Sequence, residues 1–340
     1  MSRWKSFRYR LEESACALVA WGVPRLSRLA CVRLGNFLGN ITYALDARGR
    51  EVAIENIKAA FGDRFSPERR REIARQSYRN FLRTMLDLFW ASRLNQENWE
   101  QWIHVEGIGL AELRRLVAER KRNGAVFLCI HQGNWEWAGL VGGFTGFPLT
   151  IVAESFKNPR LTAIFKRARE GTGQEIIAQE NSLLRMLKIV KRGGLTAMLI
   201  DLNLRPSQAA TIIDCHGPDG LKMCVPLLHA VLAQRAGTLL LPVEPAPQPN
   251  GVCKMIVHPP VQYPAGATLH EIVQACWDAF EKILRARPGD YLWAYKHFRY
   301  KPRKAGRPYP LYANESSAFE KLLKQVAQED AAAAQSKSEA

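Results

Sequence analysis

The chain has 340 residues, enough for one large domain with a substantial buried core. Its 48 Lys and Arg against 32 Asp and Glu give a net charge of +16, and such an excess attracts anionic partners. The sequence has no zinc-finger spacing, no RNP aromatic motif and no evident helix-turn-helix, so we expect no nucleic-acid partner. An anionic membrane surface or an acidic carrier protein fits the charge better.

The first part of the chain, residues 1–95, is predicted to be a membrane-associating helical region. Pro24 and several arginines interrupt its apolar stretch, so neither a transmembrane helix nor a cleavable signal peptide fits. One or two amphipathic helices remain, with aromatic and aliphatic residues interleaved with arginines. Their apolar face either lies in a membrane interface or packs on the rest of the protein, and the sequence favours neither.

A long helix is predicted to follow, over residues 67–94. Ser66 is a good N-cap, Pro67 suits the first turn, and apolar residues recur at helical spacing. From residue 125 onward, short apolar runs alternate with helical patterns. Predicted strands cover 125–130, 149–153, 175–177, 195–200, 239–243 and 253–257, and predicted helices cover 159–170, 182–191, 226–235 and 269–286.

This alternation indicates an α/β fold with a mainly parallel sheet flanked by helices, preceded by the N-terminal amphipathic helical region. The α/β domain is predicted to span residues 96–310. Residues 311–340 are predicted to hold a C-terminal helix and a disordered tail. The tail would begin at about Gln328, where the composition becomes rich in Ala, Gln, Ser and Glu.

Seven cysteines are scattered along the chain, and none forms a Cys-x-x-Cys pair. Neither a metal site nor a disulfide framework is therefore expected. Because most of the cysteines have apolar neighbours, we expect reduced core residues.

A histidine and a glutamate mark the end of the first predicted strand of the α/β region. His131 ends the apolar run, and Glu136 follows five positions later. Open α/β sheets place active sites at the carboxyl ends of their strands. A histidine can accept a proton near neutral pH, and a carboxylate can hold its tautomer, so the pair would activate a hydroxyl. The alternative is a polar strand end with a solvated glutamate.

Asp201 ends another apolar strand and is predicted to point toward the same sheet edge as His131. It is either a binding residue or a cap of a helix or loop. A basic cluster with interleaved aromatic residues covers 296–304. It would contact substrate phosphates, a membrane surface or an acidic carrier, or it is a solvated segment near the end of the fold.

Six sequence blocks occur in a fixed order between residues 30 and 304. They cover 48–61, 71–81, 131–136 with its Asn-Trp-Glu ending, 157–169, 193–201 and 291–301. Together they resemble the bacterial lipid A biosynthesis acyltransferases, the late lauroyl/myristoyl transferases within the lysophospholipid acyltransferase superfamily. Two segments depart from the family pattern. The family's Asp-Gln-Asp is Asp201-Leu-Asn203 here, and residues 212–217 keep only the glycine of the following block.

The resemblance implies an enzyme that transfers a fatty acyl chain from a thioester to a hydroxyl of a lipid A precursor. His131 would be the general base, with Glu136 orienting its ring. Arg169 and the backbone near Gly133 would stabilise the oxyanion, or Arg169 would hold a phosphate. Asn134 would brace the turn or bond the thioester. Lys157, Asn158 and Asp201 would also bind substrate.

The resemblance also implies the partners and the location. The donor would be acyl carrier protein, with acyl-CoA as an alternative, and no metal or other cofactor would be needed. The acceptor would be a lipid at the cytoplasmic face of the inner membrane, where the protein would be peripheral or monotopic. Two alternatives remain: an acyltransferase for another glycolipid or an aminolipid, and a non-catalytic lipid-binding homologue.

Overall fold

The computed structural model describes residues 3–119, 123–153, 156–179, 181–217 and 220–338. Helices form the N-terminal quarter and then alternate with strands. Their bounds are α1 Arg3–Gly22, α2 Arg28–Leu45, α3 Ala47–Phe61, α4 Pro67–Trp90, α5 Gly109–Glu119, α6 Trp135–Thr145, α7 Pro159–Glu170, α8 Ser182–Val190, α9 Leu228–Ala236, α10 Leu269–Ala286 and α11 Ser317–Ser338.

The strands build one large sheet and two short pairs. Their bounds are β1 Ile103–Gly107, β2 Ala125–Cys129, β3 Leu149–Ala153, β4 Glu175–Ala178, β5 Leu195–Leu199, β6 Ala210–Cys215, β7 Leu221–Pro226, β8 Leu239–Pro247, β9 Cys253–Val257, β10 Tyr300–Lys301 and β11 Asn314–Glu315. The large sheet has the order β1-β9-β8-β2-β5-β3-β4. Strands β8, β2, β5, β3 and β4 are parallel, and β9 pairs antiparallel with β8.

Strand β2 lies near the centre of the sheet and shows how both faces are covered. All five of its residues are buried. Val126 and Leu128 belong to one hydrophobic cluster, which includes residues of α3 and α10. Ala125 and Phe127 belong to another, which includes residues of α4 and α6. Since successive side chains of a strand point to opposite faces, helices pack on both sides of the sheet, as parallel sheets require.

The N-terminal helices pack closely on one another. A Cβ atom at Gly35 or Gly39 of α2 would collide with the backbone of Arg83 or Arg79 in α4. Glycine therefore allows the two helix backbones to approach each other. Within the described ranges, no helix has both the length and the apolar character that a bilayer crossing needs.

The structure confirms the predicted fold class: a mainly parallel α/β sheet flanked by helices, with helices at the N-terminus. Four elements, β3, α7, β9 and α10, have the predicted bounds. Strand β1 and the antiparallel pair of β6 and β7 were not predicted. All seven cysteines are free, and six of them are buried.

The predicted disorder from Gln328 is wrong for the described residues, because α11 continues to Ser338. Phe319, Leu322 and Val326 anchor the first half of this helix in a small core with β6 and β7. The second half contains four consecutive alanines, the residue type with the highest helix propensity. An anchored start and a high propensity together account for the continuation of the helix.

Candidate active site

The candidate active site is built on two neighbouring strands of the sheet. His131 follows β2 and Asp201 follows β5, and these two strands pair in parallel. The His131 ring nitrogen Nδ1 lies 2.8 Å from Asp201 Oδ1. The His131 backbone N–H donates to Asp201 Oδ2 at 3.1 Å. The aspartate therefore holds both the ring and the backbone of the histidine.

Asp201 is completely buried, yet it stays acidic. Burial acts to raise the pKa of its carboxyl, but the charge and hydrogen bonds of His131 and the nearby His297 hold the pKa below its ordinary value. An ionised carboxylate only accepts hydrogen bonds, so His131 Nδ1 carries the proton in this pair. The second ring nitrogen, Nε2, makes no hydrogen bond to any described residue.

Two further buried groups surround Asp201 and remain neutral. Burial and the neighbouring Asp201 carboxylate raise the pKa of Tyr291 well above its ordinary value. Burial lowers the pKa of His297, although Asp201 opposes this effect. The Tyr291 hydroxyl lies 3.2 Å from His297 Nδ1, and His297 Nε2 donates to the Leu292 carbonyl at 2.8 Å. Asp201 is therefore the ionised member of this buried group, and its carboxylate contacts the His131 ring.

The loop between His131 and Asn134 has a backbone shape that requires glycine. Gly133 has a φ of +62°, and a Cβ atom there would collide with the Pro245 carbonyl. The Gly133 carbonyl accepts hydrogen bonds from Asn80 at 2.9 Å and Thr84 at 3.0 Å. Its N–H donates to the Asp290 carbonyl at 3.0 Å. This N–H group is therefore committed within the fold and is not free to bind an oxyanion, while the other backbone groups near Gly133 stay the predicted donors.

Asn134 braces this loop. Its Oδ1 accepts from the Trp137 N–H at 3.2 Å and caps helix α6, while its Nδ2 donates to Asp87 Oδ2 at 2.8 Å. Asp87 also forms a buried, two-bond ion pair with Arg28, whose Nε donates to the Gly251 carbonyl. The structure shows the first of the two roles predicted for Asn134, the brace, and contact with a thioester stays a prediction.

Glu136 has a different partner from the one expected. Arg169 Nε lies 2.9 Å from Glu136 Oε2, and Arg169 Nη2 lies 2.6 Å from Oε1. Burial acts to lower the pKa of Arg169, but its bonds with Glu136 raise the pKa above its ordinary value. The prediction that Glu136 orients the His131 ring must therefore be corrected, because Asp201 holds the ring and Glu136 pairs with Arg169. Both residues lie beside the same cavity.

A cavity of about 940 Å³ opens at the carboxyl ends of the parallel strands, next to His131 and Trp135. Its volume is at the upper end of the range typical of ligand sites. Most of its wall is apolar, including Ile151, Val152, Phe156, Leu183, Met198, Leu202, Leu204, Leu228 and Val231. The polar groups on the wall include His131, Glu136, Arg169, Arg205, Tyr295 and Arg299. Such a cavity can hold an apolar chain with a polar head beside the histidine.

The residues predicted for substrate binding at the start of α7 lie elsewhere. Asn158 is buried, and its Nδ2 donates to the Tyr9 carbonyl and to Glu12, both at 3.0 Å. The Tyr9 hydroxyl donates to the Lys157 carbonyl at 2.9 Å. Neither Lys157 nor Asn158 lines the cavity. In this structure both residues attach α1 to α7.

Several polar residues that hold the loop were missed by the sequence analysis. Asn80, Thr84 and Asp87 are all buried on α4 and contact residues 133 or 134. Their spacing of four and then three residues places them on one face of a helix. A polar row on the buried side of a long helix is the signal that could have identified them.

The exposed apolar residues of the N-terminus are concentrated on α1 and α2. On α1 the most exposed are Trp4, Phe7, Leu11, Leu18 and Trp21, and on α2 they are Leu29, Phe37, Ile41 and Leu45. The first helix packs on α7, and the second packs on α4. One side of each helix therefore contacts the protein while the other presents large apolar side chains to the surroundings.

No group of three or more His, Cys, Asp or Glu side chains among the described residues has the arrangement of a metal site.

A comparison of the chain with curated proteins gave no match. In a comparison with protein-family models, residues 3–300 match the family described as bacterial lipid A biosynthesis acyltransferase. This match covers most of the chain and includes the whole candidate active site.

Proposed function

The chain belongs to the bacterial lipid A biosynthesis acyltransferase family, which implies acyltransferase activity; we propose that it moves a fatty acyl chain from an acyl carrier protein thioester to a hydroxyl of a lipid A precursor. The observation that carries this proposal is the His131–Asp201 pair beside a large, mainly apolar cavity. The pair supplies a base, and the cavity supplies room for the chain.

In the first step, His131 Nε2 takes the proton of the acceptor hydroxyl as its oxygen attacks the thioester carbonyl. The carbonyl becomes a tetrahedral oxyanion, and the imidazole becomes an imidazolium. Asp201 stabilises the imidazolium because its carboxylate already accepts the Nδ1 proton. Asp201 thus acts as the positioning residue of His131.

The oxyanion needs donors that are already in place. Helix α6 begins at Trp135, directly after the loop that carries His131. The Trp137 N–H is already bonded to Asn134. The N–H groups of Trp135 and Glu136, together with the positive end of the helix dipole, would therefore stabilise the developing charge. The intermediate then breaks its C–S bond, and His131 Nε2 returns the proton to the departing thiolate. The products are the acylated lipid and the free carrier thiol.

The N-terminal helices support a location at the membrane. The exposed aromatic and aliphatic side chains of α1 and α2 form the kind of face that lies in a lipid interface. The net charge of +16 favours an anionic headgroup layer, and it equally favours the acidic carrier protein. We therefore place the enzyme peripherally on the cytoplasmic face of the inner membrane, where both substrates are accessible.

Mass spectrometry of lipid A tests this function. A strain of the host bacterium that lacks the protein is complemented with the wild type or with His131→Ala. We expect one secondary acyl chain to be lost in the deletion strain and restored by the wild type alone. Unchanged lipid A with another lipid altered would support a different acceptor. Restoration by His131→Ala would support the non-catalytic alternative and overturn the mechanism.

A further inference from the structure

Two arginines line the cavity without an acidic partner. Arg205 follows β5 and is exposed, and Arg299 precedes β10 and is partly exposed. Both belong to the wall that also contains His131. Within the described ranges, neither guanidinium forms an ion pair with a carboxylate. Two positive charges therefore face a cavity whose wall is otherwise mostly apolar.

The third arginine of the cavity serves as a contrast. The guanidinium of Arg169 already places two N–H groups on the Glu136 carboxylate. A guanidinium binds a carboxylate or a phosphate with the same fork of donors. Arg169 is therefore engaged inside the protein, whereas Arg205 and Arg299 have their forks available for a ligand.

The segments that carry the two free arginines are fastened to each other. Asn203 Nδ2 donates to the His297 carbonyl at 2.7 Å, and the Tyr295 hydroxyl donates to the Asn203 carbonyl at 3.2 Å. Arg205 lies two residues beyond Asn203, and Arg299 lies two residues beyond His297. The bonds between the segments fix the two arginines on one wall, close to the end of β5 that carries Asp201.

The side chain at position 203 keeps this wall positively charged. The residue at this position is Asn203, which is neutral. An aspartate there would add a negative charge between the two segments and compete for the guanidinium groups. Asparagine retains the bond to the His297 carbonyl and adds no charge.

We propose that Arg205 and Arg299 form a subsite for a phosphate ester carried by one of the substrates. The proposal rests on the acyl transfer proposed above and assigns a recognition role to a part of the cavity away from Arg169. Two substrate groups have this chemistry: the phosphate of the pantetheine arm that bears the thioester, and a phosphate on the lipid acceptor. Each guanidinium donates a pair of N–H bonds to the phosphate oxygens, and such charge-assisted, two-bond contacts are stronger than bonds between neutral groups.

Calorimetric titration tests the subsite separately from catalysis. The probes are pantetheine 4′-phosphate and glucosamine 1-phosphate, each compared with its unphosphorylated form. We expect the wild type to bind at least one phosphorylated probe about tenfold to a hundredfold more tightly, and the Arg205→Gln/Arg299→Gln variant to lose this preference. Arg235→Gln is the matched control, because Arg235 is exposed on α9 and does not line the cavity. A wild type without a preference for phosphate overturns the proposal.

Steady-state kinetics then identify the source of the phosphate. The double variant should raise the KM of one substrate about tenfold or more while kcat changes little. A raised KM for the acyl carrier protein donor indicates the pantetheine phosphate, and a raised KM for the lipid indicates the acceptor phosphate. Two unchanged KM values with normal turnover overturn the subsite and leave the acyl transfer intact. Phosphate-dependent binding without any wild-type turnover would instead overturn the acyl transfer and keep the subsite.

Because both arginines are at least partly exposed, we expect the variants to fold. The single variants Arg205→Lys and Arg299→Lys provide a second check. Each keeps its positive charge but loses the planar fork. Partial recovery of phosphate binding relative to the matching Gln variants is the expected result, and binding by Gln variants equal to the wild type contradicts it.

Discussion

Two acid–base pairs lie beside the same cavity, and they are organised in opposite ways. In the pair of Asp201 and His131, Asp201 holds one ring nitrogen, Nδ1, and the other ring nitrogen, Nε2, makes no hydrogen bond to a described residue. In the pair of Glu136 and Arg169, both carboxylate oxygens are bonded to a group that cannot act as a base at neutral pH. A carboxylate therefore supports proton transfer only when the group that it binds can act as a base. The short spacing between His131 and Glu136 in the sequence does not show which group each carboxylate binds.

The largest effect is expected from Asp201→Asn. The amide cannot accept the Nδ1 proton as a carboxylate does, and it does not stabilise the imidazolium, so kcat should fall by about a thousandfold or more. The measurement is the turnover of acyl carrier protein thioester with a lipid A precursor. A fall of less than about tenfold would break the distinction between the two pairs, provided that circular dichroism shows an intact fold.

The next largest effect is expected for Asp87, which holds the loop of residues 131–134 through its bond with Asn134. Asp87→Asn weakens the bond to Asn134 and leaves the Arg28 charge buried without a counter-ion. Removing one partner of a buried ion pair typically lowers the free energy of unfolding by about 3–5 kcal/mol. Denaturant unfolding should show this loss, with a parallel fall in activity. Glu112→Gln removes an exposed ion pair on α5 and serves as the control, for which we expect little change.

Glu136→Gln should have a smaller effect on kcat than Asp201→Asn, of about tenfold, because Glu136 shapes the cavity wall and does not contact the His131 ring. Replacing both partners with glutamine should recover part of that loss, since Arg169 would no longer be left as an uncompensated charge. Equal losses in kcat for Glu136→Gln and Asp201→Asn would return Glu136 to the role of orienting residue.

The smallest effect is a dependence of stability on pH. The pKa of Asp201 is lower in the folded state than its ordinary value of 3.8. The unfolded chain therefore binds the proton first as the pH falls, so the contribution of Asp201 is complete above about pH 4 and is lost as the pH drops through the folded value. Carboxyl groups ordinarily titrate at about pH 4, so the free energy of unfolding should be measured between about pH 5 and about pH 2. Over this range it should fall more steeply for the wild type than for Asp201→Asn. Parallel curves would contradict an ionised Asp201.

Much of this architecture can be predicted from local pattern. The alternation of strands and helices gives the fold class, and the ends of two apolar runs place His131 and Asp201 at one sheet edge. The order of the strands cannot be obtained in this way, because it depends on which non-adjacent segments pair. The hydrogen bond between His131 and Asp201 follows from the pairing of β2 with β5, across about seventy residues of chain.

The partner of Glu136 illustrates the same limit of local pattern. A spacing of five residues corresponds to about 500° of helical rotation, so His131 and Glu136 do not share a helix face. In the structure His131 precedes α6, which Asn134 caps, and Arg169 near the end of α7 binds Glu136. The composition of the C-terminus also led to a wrong prediction of disorder, because this polar, alanine-rich segment forms a helix once its first turns are anchored.

The attachment of the His131 loop to the end of the fold has a consequence for biosynthesis. The Gly133 N–H donates to the Asp290 carbonyl, and the Leu292 N–H donates to the His131 carbonyl at 2.9 Å. A ribosome must therefore add about 160 further residues after His131 before these bonds can form, while the N-terminal helices emerge early. A nascent chain can thus form α1 and α2, the helices that we propose to lie at the membrane, before the geometry around His131 is complete. The proposed attachment would then precede competence for acyl transfer.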